Sequence, residues 1–279
     1  MAAAPMAVHE DEQTIQFAES APYDEYVHAT TLHTLQQPIS DDAGEMSFLV
    51  VSQIMELYFG LIRYELREAQ RLVREDDVWG ALEPLRRAGL HLEGLNASWR
   101  TLRWMSPADF NRFRGQLGEA SGFQSAMYRH MEFALGLKSE QLIRPFRRQK
   151  AVYAELTRDI REPSLWDEVV ALLARRGNDI PQDALERDRT NDHEPHPAIE
   201  DAWVRVYRDP HPGNDLWLLA EALTEVGEQF SDWRYLHLKA VLRTLGDKPG
   251  TAGSSGANWL RRSMARPVFP ELWSARTHM

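Results

Sequence analysis

The strongest constraint on the fold is a helical repeat of apolar side chains that recurs twice over great length. From Phe48 the apolar positions run Val51, Met55, Phe59, Ile62 and Leu66, in steps of three and four. Ser52 and Glu56 lie on or beside that stripe. A second segment, Leu216 to Leu245, repeats the pattern through Leu219, Leu223, Val226, Phe230, Trp233, His237 and Val241. At 1.5 Å per residue it makes a helix about 45 Å long, enough to cross a whole domain. Gly246 follows, the residue expected just past a helix C-terminus. No strand-like alternation of useful length occurs, so the chain is expected to be all-α.

The intervening sequence supplies further helices. Ser106-Pro107-Ala108-Asp109 offers an N-cap serine, a proline at the first helical position and an acid at the third. Ser121-Gly122-Phe123-Gln124 reads as a second capping box, followed by a buried stripe of Phe123, Met127, Met131 and Ala134 up to Gly136. Segments 77–104, 142–161 and 164–175 also carry helical patterns, the first in spite of Pro84, Gly89 and Gly94. Residues 1–20 read as a mobile N-terminal arm and 21–279 as one helical domain. Within that domain, 178–198 is a polar surface excursion with three prolines.

Composition narrows the chemistry. The 279 residues include no cysteine, which excludes disulfides, thiolate metal sites, cysteine nucleophiles and covalent thioether attachment of a cofactor. With 32 Lys+Arg against 42 Asp+Glu, the formal net charge is −10. Such a chain is poorly suited to nucleic acid or an anionic membrane. No uninterrupted apolar run approaches a membrane span, and the N-terminus lacks the pattern of a secretion signal, so a cytoplasmic location is expected.

Four features carry candidate chemistry, each beside a plainer reading. His237 lies on the apolar face of the long helix; it is either a satisfied core residue or a shielded, unprotonated ring fit to ligate an iron porphyrin. The glycine loop GTAGSSG (250–256) lacks the lysine and the preceding strand of a P-loop. It serves either as a flexible connector or as a place where backbone N–H groups, Thr251, Ser254 and Ser255 meet a polar ligand. Phe110 and Arg114 share a helix face at i, i+4: surface packing, or an aromatic wall beside a carboxylate clamp. Phe48 and Ser52 have the same spacing, and a serine there commonly bonds back to its own helix. Weaker candidates are His193 with His196, the basic cluster Arg144, Arg147, Arg148 and Lys150, and the lone Glu25-x-x-His28.

Taken together, three stretches resemble the tryptophan 2,3-dioxygenase family of haem enzymes: DFNRFRGQLGEASGFQS (109–125), FSDWRYLHLKAVLRTLGDKPGTAGSSG (230–256) and FPELW (269–273). The resemblance spans about Tyr23 to Arg276. It implies a helical bundle with a haem pocket between long helices, haem b as cofactor and O2 as cosubstrate. His237 matches the family's proximal iron ligand, with Trp233 and Arg243 at positions around it. Ser121 and Gly253 fall at positions near the haem. Arg114 matches the arginine that grips the substrate carboxylate, and Thr251 the threonine that bonds its ammonium and carboxylate. Phe48 and Phe110 match walls of the indole pocket. Tyr23 and Tyr26 match a tyrosine pair that completes a neighbouring subunit's site, which implies a homotetramer.

Three positions depart from the family pattern. Ser52 stands where typical members carry a distal histidine that meets the indole N–H; indoleamine 2,3-dioxygenases are similar in having serine there. Ala252 replaces a loop glycine, and Tyr58 replaces a tryptophan. A serine hydroxyl is far too weak to act as a base near neutrality. The expectation is oxidation of the indole 2,3 bond of tryptophan, or of a substituted tryptophan, by dioxygenation to an N-formylkynurenine-type product. Monooxygenation to an epoxide or 2-oxindole, and haem binding without catalysis, are the alternatives.

Overall fold

The computed structural model describes residues 21–248, 250 and 256–279, and among them there are helices and no strands. The expected arm over 1–20 therefore lies outside the described residues. Two compact units are distinguished, 1–38 and 39–279. The first contains α1 (Pro22–Val27) and α2 (Ala29–Leu32), neither of which buries a residue. The second opens with a cap built from sequence: the Glu45 carboxylate accepts from the backbone N–H groups of Ile39 and Ser40, at 2.8 and 2.7 Å. Asp42 then caps Gly44 at the start of α3 (Ala43–Arg74).

The core forms around α3, α4 (Val78–Thr101) and the helix that carries His237. The α3 stripe Val51, Met55, Phe59, Ile62 and Leu66 is buried as the periodicity predicts. Asp77 caps α4, and α4 returns antiparallel to α3 with Arg87 on Glu65 and Gly94 beneath Tyr58. A Cβ at Gly94 would stand 2.6 Å from the Tyr58 hydroxyl, so this crossing needs glycine. An 18-residue window of α3 reaches a mean hydropathy of 1.4, which by length and composition is enough to cross a membrane. Polar residues interrupt that window, so counting uninterrupted apolar runs misses it. Its inward side is the protein core.

After α4 come α5 (Pro107–Arg114), opened by the Ser106/Asp109 capping box, and α6 (Ala126–Leu135). The second expected capping box is present but opens only a 3-10 turn, Gly122–Gln124. Ser125 then breaks away into extended backbone and caps α6 itself, bonding Tyr128 N–H at 3.0 Å, so Phe123 precedes the helix. Nor is 142–161 a single helix. α7 (Glu140–Ile143) gives way to a 3-10 turn at Arg144–Phe146, where Pro145 supplies no N–H, and α8 (Lys150–Arg161) starts afresh.

α9 (Leu165–Arg175) follows its Ser164/Asp167 capping box. The polar stretch 178–198 carries α10 (Gln182–Leu185) and is pinned rather than loose: Ile180 is buried, Arg187 pairs with Asp167 at 2.8 Å, and His193 stacks on Trp166 at 4.0 Å. α11 (Pro197–Tyr207) leads to α12 (Asp215–Thr244), capped by Asn214 and closed by Gly246 at positive φ. α12 runs alongside α4 in the same direction. Gly89 faces Glu225, the Asn96 amide donates to the Gln229 carbonyl at 3.0 Å, and Trp99 stacks on His237. α13 (Ala257–Met264) and α14 (Pro270–Ala275) complete the chain.

Candidate active site

Two adjoining cavities, of about 250 and 490 Å³, open around His237. Their sizes bracket the low end of small-molecule sites, which run from roughly 300 to 1,000 Å³. They share the walls Trp99, Phe110, His237, Val241 and Leu245. The smaller one reaches inwards to Ser52, Phe59, Tyr128, Arg129 and Trp233; the larger one opens past Phe48.

His237 projects from α12 because the 3.6-residue repeat places it one turn after the buried Trp233. Its imidazole stacks on Trp99 with ring centroids 4.9 Å apart and an interplanar angle of 17°. Its Nδ1 is buried and has no hydrogen-bond partner among the described residues. Burial pushes its pKa down from 6.5 to about 4, so the ring is neutral at physiological pH and keeps a lone pair for a ligand. The plainer reading, a satisfied core histidine, does not describe this ring.

The aromatic wall is continuous. Phe59 meets Trp233 edge-on at 5.5 Å, and Tyr128 lies 4.8 Å from Trp233. The indole N–H groups of Trp99 and Trp233 are both buried without a partner among the described residues. Phe48 and Phe110 pack at 5.8 Å, so the two expected walls do stand together. Ser52 lines the smaller cavity, and its hydroxyl donates to the Phe48 carbonyl at 2.8 Å. That is the back-bond expected of a helical serine, and it commits the hydroxyl proton while the oxygen can still accept. Ser121 also lines the cavity, its Oγ accepting from Phe123 N–H.

Other expected residues fall differently. Arg114 is half-buried one turn beyond Phe110 and is not among the residues lining either cavity. Arg243 lines the larger one. Thr251 and Gly253 lie outside the described residues, though Gly250 and Gly256 at the two ends of their loop both border the smaller cavity. Tyr23 and Tyr26 are 70% and 87% exposed on α1. Among the described residues no group of three or more His, Asp or Glu is placed to hold a metal ion.

Sequence reasoning missed the charged inner wall and Trp99. Arg129 is 1% exposed, pairs with Glu132, and lies over the rings of Phe123 and Tyr128. Arg234 reaches the same Glu132 at 3.1 Å. Burial alone would raise the Glu132 carboxyl pKa, but the two arginines hold it below its ordinary value. The signal was present: Arg129 and Glu132 sit at i, i+3 in a helix that, His130 apart, is otherwise apolar or aromatic, where unpaired charges are not tolerated. Trp99 continues the α4 stripe of Leu85, Ala88, Leu92 and Leu95.

Fold and cavity together define a class: an all-helical protein whose aromatic pocket presents a neutral, unpartnered histidine to a ligand. The family model for tryptophan 2,3-dioxygenase matches residues 9–160 and 159–279, so the chain belongs to that family. A tryptophan 2,3-dioxygenase of Exiguobacterium sibiricum is 39% identical over 270 residues, covering 96% of this chain and 97% of the relative. Relatives of the same name from Paraburkholderia phytofirmans and Polaromonas naphthalenivorans are 40% and 38% identical, over 94% and 98% of this chain and 86% and 96% of their own.

Proposed function

We propose that this chain is a haem-dependent oxygenase that uses O2 to dioxygenate the indole 2,3 bond of tryptophan, giving N-formylkynurenine. The observation that carries this reading is His237: neutral, half-buried in an aromatic cavity, with a buried Nδ1 that has no partner among the described residues. Those properties fit an axial ligand to haem iron, which needs a rigid, unprotonated imidazole shielded from water. The relatives' names supply the substrate and the reaction. Bound there, haem supplies the iron centre at which O2 is activated.

The chain's own residues bind and orient. Ser52, its proton engaged by Phe48, offers an acceptor to the indole N–H and holds that proton on the substrate nitrogen rather than removing it. Phe48 and Phe110 flank the indole ring. Arg114 and Thr251 hold the carboxylate and ammonium, which fixes the reacting carbons and lowers the entropic part of the barrier. Ser121 and Gly253 border the cofactor. Tyr23 and Tyr26, exposed on α1, complete the site of a neighbouring subunit. A homotetramer in the cytoplasm accommodates the exposed apolar stripe of Ile54, Leu57, Leu61 and Tyr64 on α3.

The balance is tryptophan plus O2, with both oxygen atoms retained and no external reductant consumed. Reduced protein given tryptophan and ¹⁸O2 is expected to yield a product two labelled atoms heavier. A product with one labelled atom, or none, overturns dioxygenation.

A further inference from the structure

Arg100, Arg103, Lys239 and Arg243 all line the larger cavity, and among the described residues that line it none is acidic. All four are exposed, and they stand together in a chain of net charge −10. The parallel run of α4 and α12 gathers them: Arg100 lies in the last turn of α4 and Arg103 just past its cap, and Lys239 and Arg243 lie one turn apart near the end of α12. Among the described residues the guanidinium groups of the three arginines make no hydrogen bond or ion pair, and the Lys239 ammonium rests over the Tyr235 ring at 5.1 Å.

Helix polarity explains only part of this. Each helix C-terminus carries about half a negative charge, so two of them balance about one of the four cations. A second observation lies beneath the mouth. The Trp99 indole N–H is buried without an acceptor among the described residues, and Trp99 lines both cavities and stacks on His237. An unpaired donor below a ring of unpaired cations is the chemistry of a carboxylate site. The inner end differs: Arg129 and Arg234 already share Glu132, and the remaining wall is aromatic.

We infer that this mouth holds the propionate carboxylates of the bound haem, with Arg100, Arg103, Lys239 and Arg243 around them and the Trp99 N–H donating to one. The carboxylate-free edge of the macrocycle then lies inwards, against Phe59 and Trp233. This rests on the haem reading above. A carboxylate could also come from the free amino-acid substrate, and the test separates the two sources.

Cofactor-free protein is titrated with hemin and with hemin dimethyl ester, which lacks the two negative charges. The wild type is expected to prefer hemin by about tenfold. The variants Arg100→Gln/Arg103→Gln and Lys239→Gln/Arg243→Gln are each expected to weaken hemin by roughly 5- to 20-fold, the range for two partly screened charge pairs, and to leave the ester unchanged. Arg86→Gln, an exposed arginine paired with Glu83 elsewhere on α4, is expected to change neither. Circular dichroism melting of each variant checks the fold. Equal binding of hemin and ester by the wild type, or equal weakening of both by the variants, overturns the proposal. So does unchanged hemin affinity with weakened tryptophan binding, which would assign the mouth to the substrate. If the wild type takes up neither porphyrin, the haem reading itself has failed and this inference falls with it.

Discussion

Two histidines sit on inward faces of helices and have opposite surroundings. His130 on α6 is buried and answered: its Nδ1 meets Asp159 Oδ2 at 2.6 Å, and the same carboxylate takes Arg63 and Arg67 at 2.7 and 3.0 Å. Burial alone would raise the Asp159 pKa, yet His130 and the arginines hold it far below the carboxylate range. His237 on α12 is only half-buried: it has a tryptophan face on one side and a cavity on the other, with a buried Nδ1 unanswered among the described residues. A partnered imidazole contributes to holding helices together. An imidazole with no internal partner, beside a cavity, is poised for something from outside.

Exchanging the pair's properties breaks or sharpens that contrast. His237→Ala is expected to abolish turnover while leaving the helical far-ultraviolet spectrum intact. His130→Ala is expected to do the reverse, keeping turnover in whatever fraction stays folded. Loss of activity in both, at unchanged stability, would erase the distinction. Asp159→Ala strands Arg63 and the His130 imidazole, while Arg67 keeps Glu162, and is expected to cost about 2–3 kcal/mol in urea unfolding. That is less than the roughly 3–5 kcal/mol of a fully buried pair, because Arg63 and Arg67 are 27% and 35% exposed. On the substrate side, Arg114→Ala is expected to raise KM by about 10- to 100-fold with a smaller change in kcat. A change confined to kcat would remove Arg114 from substrate binding.

The acid response separates the two regions by pH. Burial lowers both His237 and His193 to about 4 from 6.5. The unfolded chain therefore takes up protons that the fold refuses, and the stability of the cofactor-free protein falls as pH drops from about 6.5 towards 4. Asp159 acts lower: its stabilisation is complete above its ordinary value of 3.8 and is lost as pH falls further. Urea midpoints across this range are expected to show two descending phases. His193→Gln should shrink the upper one and leave the lower one in place. The smallest effect is expected from Ser52→Ala: loss of a neutral hydrogen-bond acceptor should slow turnover by less than about tenfold.

Much of this was legible in the sequence because it depends on local rules. The long helices carry their burial in a 3.6-residue repeat, and Ser106 announces its cap. His237, Trp233 and Phe110 lie on the expected faces and converge on one space. What escaped depends on partners distant in sequence. Trp99 becomes a cavity wall only because α4 and α12 run in parallel, bringing it onto His237. The Arg129–Glu132–Arg234 cluster joins two helices about a hundred residues apart, and helical periodicity does not reveal such a pairing. The false continuity through Ser125 and Pro145 arose because apolar spacing survives a short break that backbone geometry does not.

The central claim is that His237 is the group through which this fold holds haem iron. Hemin titration of cofactor-free wild type and of His237→Gly, with and without imidazole in solution, tests it most directly. The account predicts an intense Soret band that saturates at about one hemin per chain, is lost in the variant and returns when imidazole fills the vacated space. A wild type that stays colourless with hemin, or a variant whose Soret band matches the wild type without imidazole, would contradict it.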